Sequence, residues 1–420
     1  MSARNVRRIK RVVFLLNKRN RYSVTALIGA MEAYAPAIEV LTFRSPAELE
    51  RFDPEETVVA LSFSSFDVEE VRTLVPSLKE MGFTVIAGGP HPSADPSGTL
   101  TLGVDHVFVG DGEETLLDYL KGKPTSSIVE GIPRALDAFP PFAPTHGMYM
   151  PTEITRGCPF KCAYCQVPNL FGRRVRHRSV KNVLKWARIS VENSRKIMRF
   201  ISPNAFGYGS LDGVKPEAEV IKKLLSGLRE LGIEQLYFGT FPSDVRPESV
   251  TSDILALIKT YCDNKSILIG AQSGSERILK LIRRGHTTKT VEKAVRLIHE
   301  SGLRPHVDFI FGFPFETEED VEANIAFMSR LIERYDAKIH AHTFMPLPGS
   351  DFAHLRAGRL NRRYRKVLGR YASSGILDGH WSKQEELSKQ VSRLKGGEEL
   401  EIESGCGTDE VHTLQRGNKS

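Results

Sequence analysis

The sequence predicts an α/β protein in two successive parts, a doubly wound domain and then a partial (β/α)6 TIM-type barrel. Three observations carry that expectation. Short apolar runs rich in β-branched residues alternate with stretches of helical period almost from the start. The alternation stops in a proline-rich segment near residue 140 and then begins again. Of 420 residues, 40% are hydrophobic and 26% charged, enough to bury the cores of two or three domains.

The first part reads as strands RVVFLL, IEVLTF, TVVALSF, FTVIAGG and VDHVFVG. Between them YSVTALIGAMEAY and DVEEVRTLVPSLKEMG have helical period. In the second, Val68, Val71, Leu74, Leu78 and Met81 recur three or four residues apart and mark one face. Five strands by Gly110 match a flavodoxin-like domain over residues 1–130. IPRALDAFPPFAPTHG shows no period, so residues 131–150 read as a linker. From Pro151 the strands are TEIT, IMRFIS, EQLYFGT, SILIGAQ, PHVDFIFG and KIHAHTFM, each of the first five followed by a helical stretch. Six such units over residues 151–350 are too few for a closed eight-fold barrel, and chemistry in such a fold sits at the C-terminal strand ends. Residues 351–420 read as a basic helical segment and a polar tail, disordered beyond one short helix.

Composition narrows the function. No apolar run approaches the roughly 20 residues that span a bilayer, and the first residues lack a secretory signal, so the expectation is a cytoplasmic protein with no membrane partner. The net charge of +7 is local: residues 1–21 hold eight Lys/Arg and no acid, Phe352–Leu377 seven, and RRVRHR follows the main cysteine group. Such runs suit a solvated face, and nucleic acid stays open as a partner.

Three of the five cysteines, Cys158, Cys162 and Cys165, fall in a C-x3-C-x2-C loop just after the first strand of the second part. Three thiolates on one loop can hold three corners of a 4Fe-4S cluster and leave one iron open. A structural zinc site wants four ligands, and His177 is far along the chain to be the fourth. Cys262 and Cys406 are scattered; Cys406, in ESGCGTDE, reads as an incidental cysteine or a reactive thiol.

RGCPFKCAYC, with Tyr164 before its last cysteine, resembles the signature of the radical S-adenosylmethionine (radical SAM) superfamily. The resemblance covers residues 150–350 and includes GAQSGSERILKLIRRGHT and VDFIFGFPFETEEDV. It implies an open iron that binds the amino and carboxylate groups of SAM, and an electron, from a donor such as a ferredoxin or flavodoxin, that splits SAM into methionine and a 5'-deoxyadenosyl radical. It places Tyr164 near the adenine and offers Asn204, Ser243, Asp244, Arg246, Gln272 and Ser273 as strand-end contacts to SAM. Many family members carry glutamate at the position of Gln272, and SPNAFG replaces their glycine-rich segment after the second strand.

VIAGGPHPSADP and VDHVFVGDGEETL resemble the fourth and fifth strand ends of the cobalamin-binding-like domain that precedes many radical SAM barrels. That likeness implies a ligand near Ser64, Ser65, Gly88, Gly89, Gly110 and Gly112. The D-x-H-x-x-G pattern of a lower-face histidine is missing, and the nearby histidines are His91 and His106. Two states stay open, cobalamin held without a histidine beneath cobalt and a lid without cobalamin. The implied activity is cobalamin-dependent methylation of an unactivated carbon. Radical rearrangement or cyclisation without cobalamin and a cobalamin- or cluster-based sensor are the alternatives. Methylthio transfer is disfavoured, because residues 1–157 hold no cysteine for a second cluster. The small-molecule or macromolecular substrate is not legible.

Overall fold

The computed structural model describes residues 9–123 and 126–394. The chain divides into two compact units, one made of residues 1–158, 166–201 and 226–235, the other of residues 159–165, 202–225 and 236–420.

In the first unit six parallel strands form one sheet in the order β2-β1-β3-β4-β5-β6. They are β1 (Arg11–Leu15), β2 (Glu39–Phe43), β3 (Thr57–Ser62), β4 (Thr84–Gly88), β5 (His106–Val109) and β6 (Ile128–Glu130), joined through α1 (Arg21–Tyr34), α2 (Val68–Glu80), α3 (Pro90–Ala94), α4 (Pro96–Leu100) and α5 (Gly112–Leu120). All six residues of β3 are buried, as expected of a strand in the middle of a parallel sheet covered on both faces. Val12, Phe14, Val58, Ala60, Ile86 and Phe108 pack with Val24, Ile28 and Met31 of α1 and Leu116 and Leu117 of α5. The order 2-1-3-4-5 is the flavodoxin-like one, so the chain leaves β1 and β3 in opposite directions and opens a crevice at their C-terminal ends. Strand β6 escaped the sequence reading because three part-exposed edge residues carry no period.

Between these strands and the cysteines, Leu136, Phe142 and Ala143 are buried, and Ala143 joins the sheet core. The aperiodic segment is thus held by packing of single residues, which leaves no pattern in the sequence. Next come β7 (Thr152–Glu153), β8 (Thr155–Arg156), α6 (Val167–Phe171), β9 (Arg176–His177), α7 (Val180–Glu192), β10 (Ile197–Met198) and β11 (Phe200–Ile201). β7 pairs in parallel with β11, and β8 pairs antiparallel with β9. The chain crosses between units within α8 (Ala218–Glu230) and β12 (Gln235–Leu236).

The second unit is organised on a four-stranded parallel sheet, β13 (Ser266–Gln272), β14 (Arg304–Phe311), β15 (Lys338–Thr343) and β16 (Leu377–Asp378), in that order. Single parallel bridges, Ser202 to Ser243 and Val245 to Ile269, continue the array on the β13 side. Helices α9 (Ser252–Tyr261), α10 (Glu276–Leu281), α11 (Thr288–Glu300) and α12 (Glu318–Tyr335) alternate with the strands. α11 buries Val291, Ala294, Val295 and Ile298, one face at helical spacing. α12 starts on a reciprocal Thr317/Asp320 capping box. Beyond Ser350, α13 (Arg362–Ser373) and α14 (Trp381–Arg393) flank β16. The tail expectation for residues 395–420, with Cys406, and the first eight residues of the basic N-terminal run lie outside the described residues. Among the described residues no helix is long and apolar enough to cross a membrane.

Candidate functional site

Two places gather polar and glycine residues at strand ends, one in each unit. In the second unit the loop of residues 159–165 is pinned by backbone: Ala163 N–H donates to Ile282 O (3.0 Å), and Phe352 N–H donates to Ala163 O (3.0 Å). Cys165 N–H donates to Cys162 O (3.0 Å), closing a turn between the two cysteines. Cys158 ends the preceding segment, with its N–H on Gly172 O (3.1 Å). Gly157 before it has φ +84°, and a Cβ there would lie 2.5 Å from Arg174 O, so this approach demands glycine.

Buried Cys162 sits beside two guanidinium groups, with Arg284 Nη1 at 3.5 Å and Arg246 Nη1 at 3.7 Å from its Sγ. Burial alone would push the thiol up, but Arg284 and Arg246 outweigh it and hold the pKa below the ordinary cysteine value. That favours thiolate, the metal-ligating form. The donor chemistry of the loop therefore fits an iron–sulfur cluster. Arg246 stacks over Phe160, 3.3 Å from the ring centroid, and pairs with Glu248 (2.6 Å). Burial would raise Glu248, yet the hydrogen bond from His286 and the charge of Arg246 bring it down to about 2. Burial pushes the Tyr164 hydroxyl well above its usual range.

The other residues singled out in the sequence divide into two sets. Arg246 and Tyr164 face the Cys162 electrostatic cluster. Asn204 is taken up by Gly213 O (2.9 Å), Ser249 Oγ (2.9 Å) and the N–H of Arg246 (3.1 Å), so it positions Arg246. Ser243 donates to Thr240 O (2.9 Å) as a turn bond, and Ser273 donates to Asn324 Oδ1 of α12 (3.0 Å). Gln272 ends β13 at φ +73°, a left-handed conformation uncommon outside glycine, at an irregularity in the β13–β14 register. Arg284, Glu248 and His286 were missed. Arg284 and His286 lie in the quoted segment IRRGHT, but only the fold shows that they meet Cys162 and Glu248.

In the first unit a cavity of about 180 Å³ opens at the C-terminal ends of β3, β4 and β5, against α1 and α5. Gly88, Gly89, Gly110 and Gly112 line it, with Phe14, Leu27, Ile86 and Phe108 as apolar walls and Ser62, Glu113 and Arg156 as polar groups. Gly89 has φ +98°, and a Cβ there would lie 2.8 Å from Ser62 Oγ, so the turn excludes other residues. A glycine-edged apolar slot at the C-terminal ends of parallel strands fits the apolar part of a ligand such as a corrinoid. Ser64 and Ser65 are not on its lining: Ser64 donates to Asp67 (2.6 Å), and Ser65 bonds His91 Nδ1 (3.0 Å). His91 also stacks on Phe63, and His106 Nδ1 bonds Ser126 O (2.9 Å). The lining residue Ser62 sits two positions before Ser64 on the same run.

A buried ion network closes one side of this cavity. Arg156 bonds Glu113 (2.7 and 3.1 Å) and Glu153 (2.6 and 2.9 Å) and lies 3.3 Å from Asp111, which also pairs with Arg176. Arg178 is buried and bonds Phe139 O (2.8 Å) and Asn182 (2.8 Å), and burial lowers it to about 10. Half of the RRVRHR run is thus internal wiring and not a surface for a polyanion. In the second basic stretch, Arg356, Arg359, Arg362 and Arg365 line an open cavity of about 780 Å³ with Glu316 and Tyr364, while Arg365 pairs with Glu385 (2.6 Å).

Residues 152–328 match the model of the radical SAM superfamily, and residues 37–120 match that of the B12 binding domain. The chain thus carries a radical SAM domain preceded by a B12-binding-like domain. An uncharacterised protein of Methanopyrus kandleri is 24% identical over 361 residues, 71% of this chain and 68% of that protein. A tRNA-2-methylthio-N(6)-dimethylallyladenosine synthase of Geobacter sulfurreducens is 31% identical over 226 residues, 53% of this chain, so the match spans only 48% of that relative. Among solved structures, the radical S-adenosylmethionine methyltransferase TsrM of Kitasatospora setae, with cobalamin and a [4Fe-4S] cluster bound, superposes with a TM-score of 0.61 over 82% of this chain and 77% of its own, at 16% identity. The cobalamin-dependent S-adenosylmethionine radical enzyme OxsB gives 0.58 over 78% of this chain and 52% of its own, at 17% identity. At these identities the likeness to the two structures is one of fold.

Proposed function

We propose that this protein reductively cleaves SAM and uses cobalamin to methylate an unactivated carbon. The observation that carries the first half is Cys162, buried between the guanidinium groups of Arg246 and Arg284 in a C-x3-C-x2-C loop. In this reading Cys158, Cys162 and Cys165 hold a 4Fe-4S cluster. When bound, the cluster supplies one electron to SAM, and cobalamin supplies a methyl carrier.

The chain's own residues do the positioning. Arg246, its backbone N–H bonded to Asn204 and its guanidinium stacked on Phe160, presents fixed positive charge to a SAM carboxylate. Tyr164 offers an apolar ring to the adenine, and Gln272, Ser243 and Ser273 shape the strand ends. A carbon radical attacks almost any C–H bond, so these residues act mainly by exclusion of water and orientation of the target. This reading takes the strands of residues 151–350 as an open (β/α)6 barrel, residues 1–130 as the cobalamin domain, 131–150 as a connector and 351–420 as an accessory segment. A ferredoxin- or flavodoxin-type donor supplies the electron.

The cavity edged by Gly88, Gly89, Gly110 and Gly112 favours cobalamin over a lid without it. His91 is engaged by Ser65 and Phe63, which supports binding with no histidine beneath cobalt. Anaerobic reconstitution followed by dialysis against hydroxocobalamin tests both halves. One 4Fe-4S cluster, lost in Cys158→Ala and kept in Cys262→Ala, and one cobalamin per chain are expected. Unchanged iron in Cys158→Ala would refute the cluster assignment. A full cluster with no bound corrinoid would shift the reading to radical rearrangement or cyclisation without cobalamin.

A further inference from the structure

Strand β15 reads KIHAHT, and a strand has a side-chain period of two. His340 and His342 therefore project from one face of the four-stranded sheet, a spacing that lets two imidazoles reach one point. Asp308 on β14 is the direct register partner of His340, so its side chain shares that face. One ligand atom from each of Asp308, His340 and His342 lies within 4.8 Å of the others.

Two further observations separate this cluster from an ordinary polar patch. Asp308 is 6% exposed, and its Oδ1 is buried with no hydrogen-bond partner; Asp244 Oδ1 is likewise buried and unpartnered. The cation that faces both carboxylates, Arg284, is already committed to Cys162 Sγ and to Gly270 O (2.8 Å). Two buried carboxylates opposite one shared guanidinium leave a deficit of positive charge, which a buried site does not sustain without a further cation or proton. His340 is also held as metal-bound histidines are: its Nδ1 bonds Asp378, which is itself neutralised by Lys338 (2.7 Å), and this leaves Nε2 as the lone-pair donor. The neighbouring group of His306, His340 and Asp378 is by contrast satisfied by that lysine.

We propose that Asp308, His340 and His342, with the carboxylate of Asp244 adding negative charge nearby, form a second metal site, distinct from the cysteine loop, for a divalent ion of the zinc class. Two imidazoles and a carboxylate, three protein donors with one of them buried and two part-buried, suit that class. One residue tunes the site. Gln384 accepts the Thr343 N–H on Oε1 (2.9 Å) and so turns its Nε2 toward His342 Nδ1 (3.2 Å). Ligation through His342 Nε2 puts the ring proton on Nδ1, and the Gln384 amide must then turn to accept it. A glutamate at 384 would accept both protons without turning.

The test is equilibrium dialysis of the cluster-loaded full chain against buffered Zn2+ under anaerobic conditions, with zinc and iron counted in the same sample. One tightly bound zinc per chain is expected, with iron unchanged. Asp308→Asn and His342→Ala should each weaken zinc binding by more than about 100-fold, and Gln384→Glu should strengthen it by about 10-fold or more. Added zinc should raise the thermal midpoint of the wild type and leave that of His342→Ala unmoved. Absence of tight zinc in the wild type would overturn the assignment. So would zinc that displaces iron, or zinc binding that is the same in all four proteins.

Discussion

Arg156 is the residue whose loss should be most costly in the first unit. Its guanidinium makes four hydrogen bonds, two to Glu113 and two to Glu153, with its side chain 11% exposed. In Arg156→Met, Glu153, 17% exposed, can turn toward water, whereas Glu113, 9% exposed, keeps its charge buried without its hydrogen-bonding cation. Removing one partner of such a pair costs about 3–5 kcal/mol, most of it from the charge left behind. Arg156→Met should therefore lose about 3–5 kcal/mol in denaturant unfolding at neutral pH, and Arg156→Met/Glu113→Gln should recover about 2 kcal/mol of that. The pH dependence has a definite sign. In the wild type burial would raise Glu113, but Arg156 holds it below the ordinary glutamate value of 4.5, so the pair's contribution is present above that pH and lost as pH falls through the lower folded value. In the variant burial is opposed only by a backbone hydrogen bond and the charge of Arg176, so Glu113 shifts upward from its wild-type value and the deficit should grow with rising pH. A loss under about 1 kcal/mol, or no recovery in the double variant, would refute this reasoning.

Two other outcomes follow from single residues. Gly112 lines the cavity at the start of α5, and a Cβ there makes only an ordinary contact with Leu27 (3.5 Å), so Gly112→Leu should fill the slot without strain and weaken hydroxocobalamin binding by more than about tenfold at unchanged iron content; equal affinity would place the corrinoid elsewhere. Glu316 is raised by burial to about 7 from 4.5 despite hydrogen bonds from Tyr364 and the N–H groups of Gly312 and Phe313, so the folded state holds the extra proton between those values and stability should fall by about 3 kcal/mol as pH rises through them. Glu316→Gln should flatten that slope in urea titrations, and an unchanged slope would show that Glu316 is ionised throughout.

What the sequence made legible was whatever is encoded within a few residues. Cys158, Cys162 and Cys165 lie in one loop, and the strands of both units show as apolar runs because a parallel sheet buries both of its faces. The turn glycines were legible for a similar reason, since Gly89 and Gly110 adopt positive φ. Long-range partnerships were not. Arg156 and Glu113 are separated by 43 positions and carry no local mark of each other. Arg176 and Arg178 resemble a surface run until the fold turns them toward Asp111 and Phe139 O. The choice between Ser62 and Ser64 at the cavity depends on where the strand ends and the Asp67 turn begins, a matter of two residues. The HAH pattern of β15 was quoted as a strand, but its meaning came from Asp308 on the neighbouring strand.

The central claim is that the cysteine loop and its guanidinium neighbours form a site for SAM cleavage. Its most direct test is chromatographic detection of 5'-deoxyadenosine from anaerobic, cluster-loaded protein mixed with SAM and a strong reductant. The nucleoside should accumulate slowly even without substrate, and Cys162→Ala should abolish it. An intact cluster that releases no 5'-deoxyadenosine under reduction would contradict the enzymatic reading and favour a sensor.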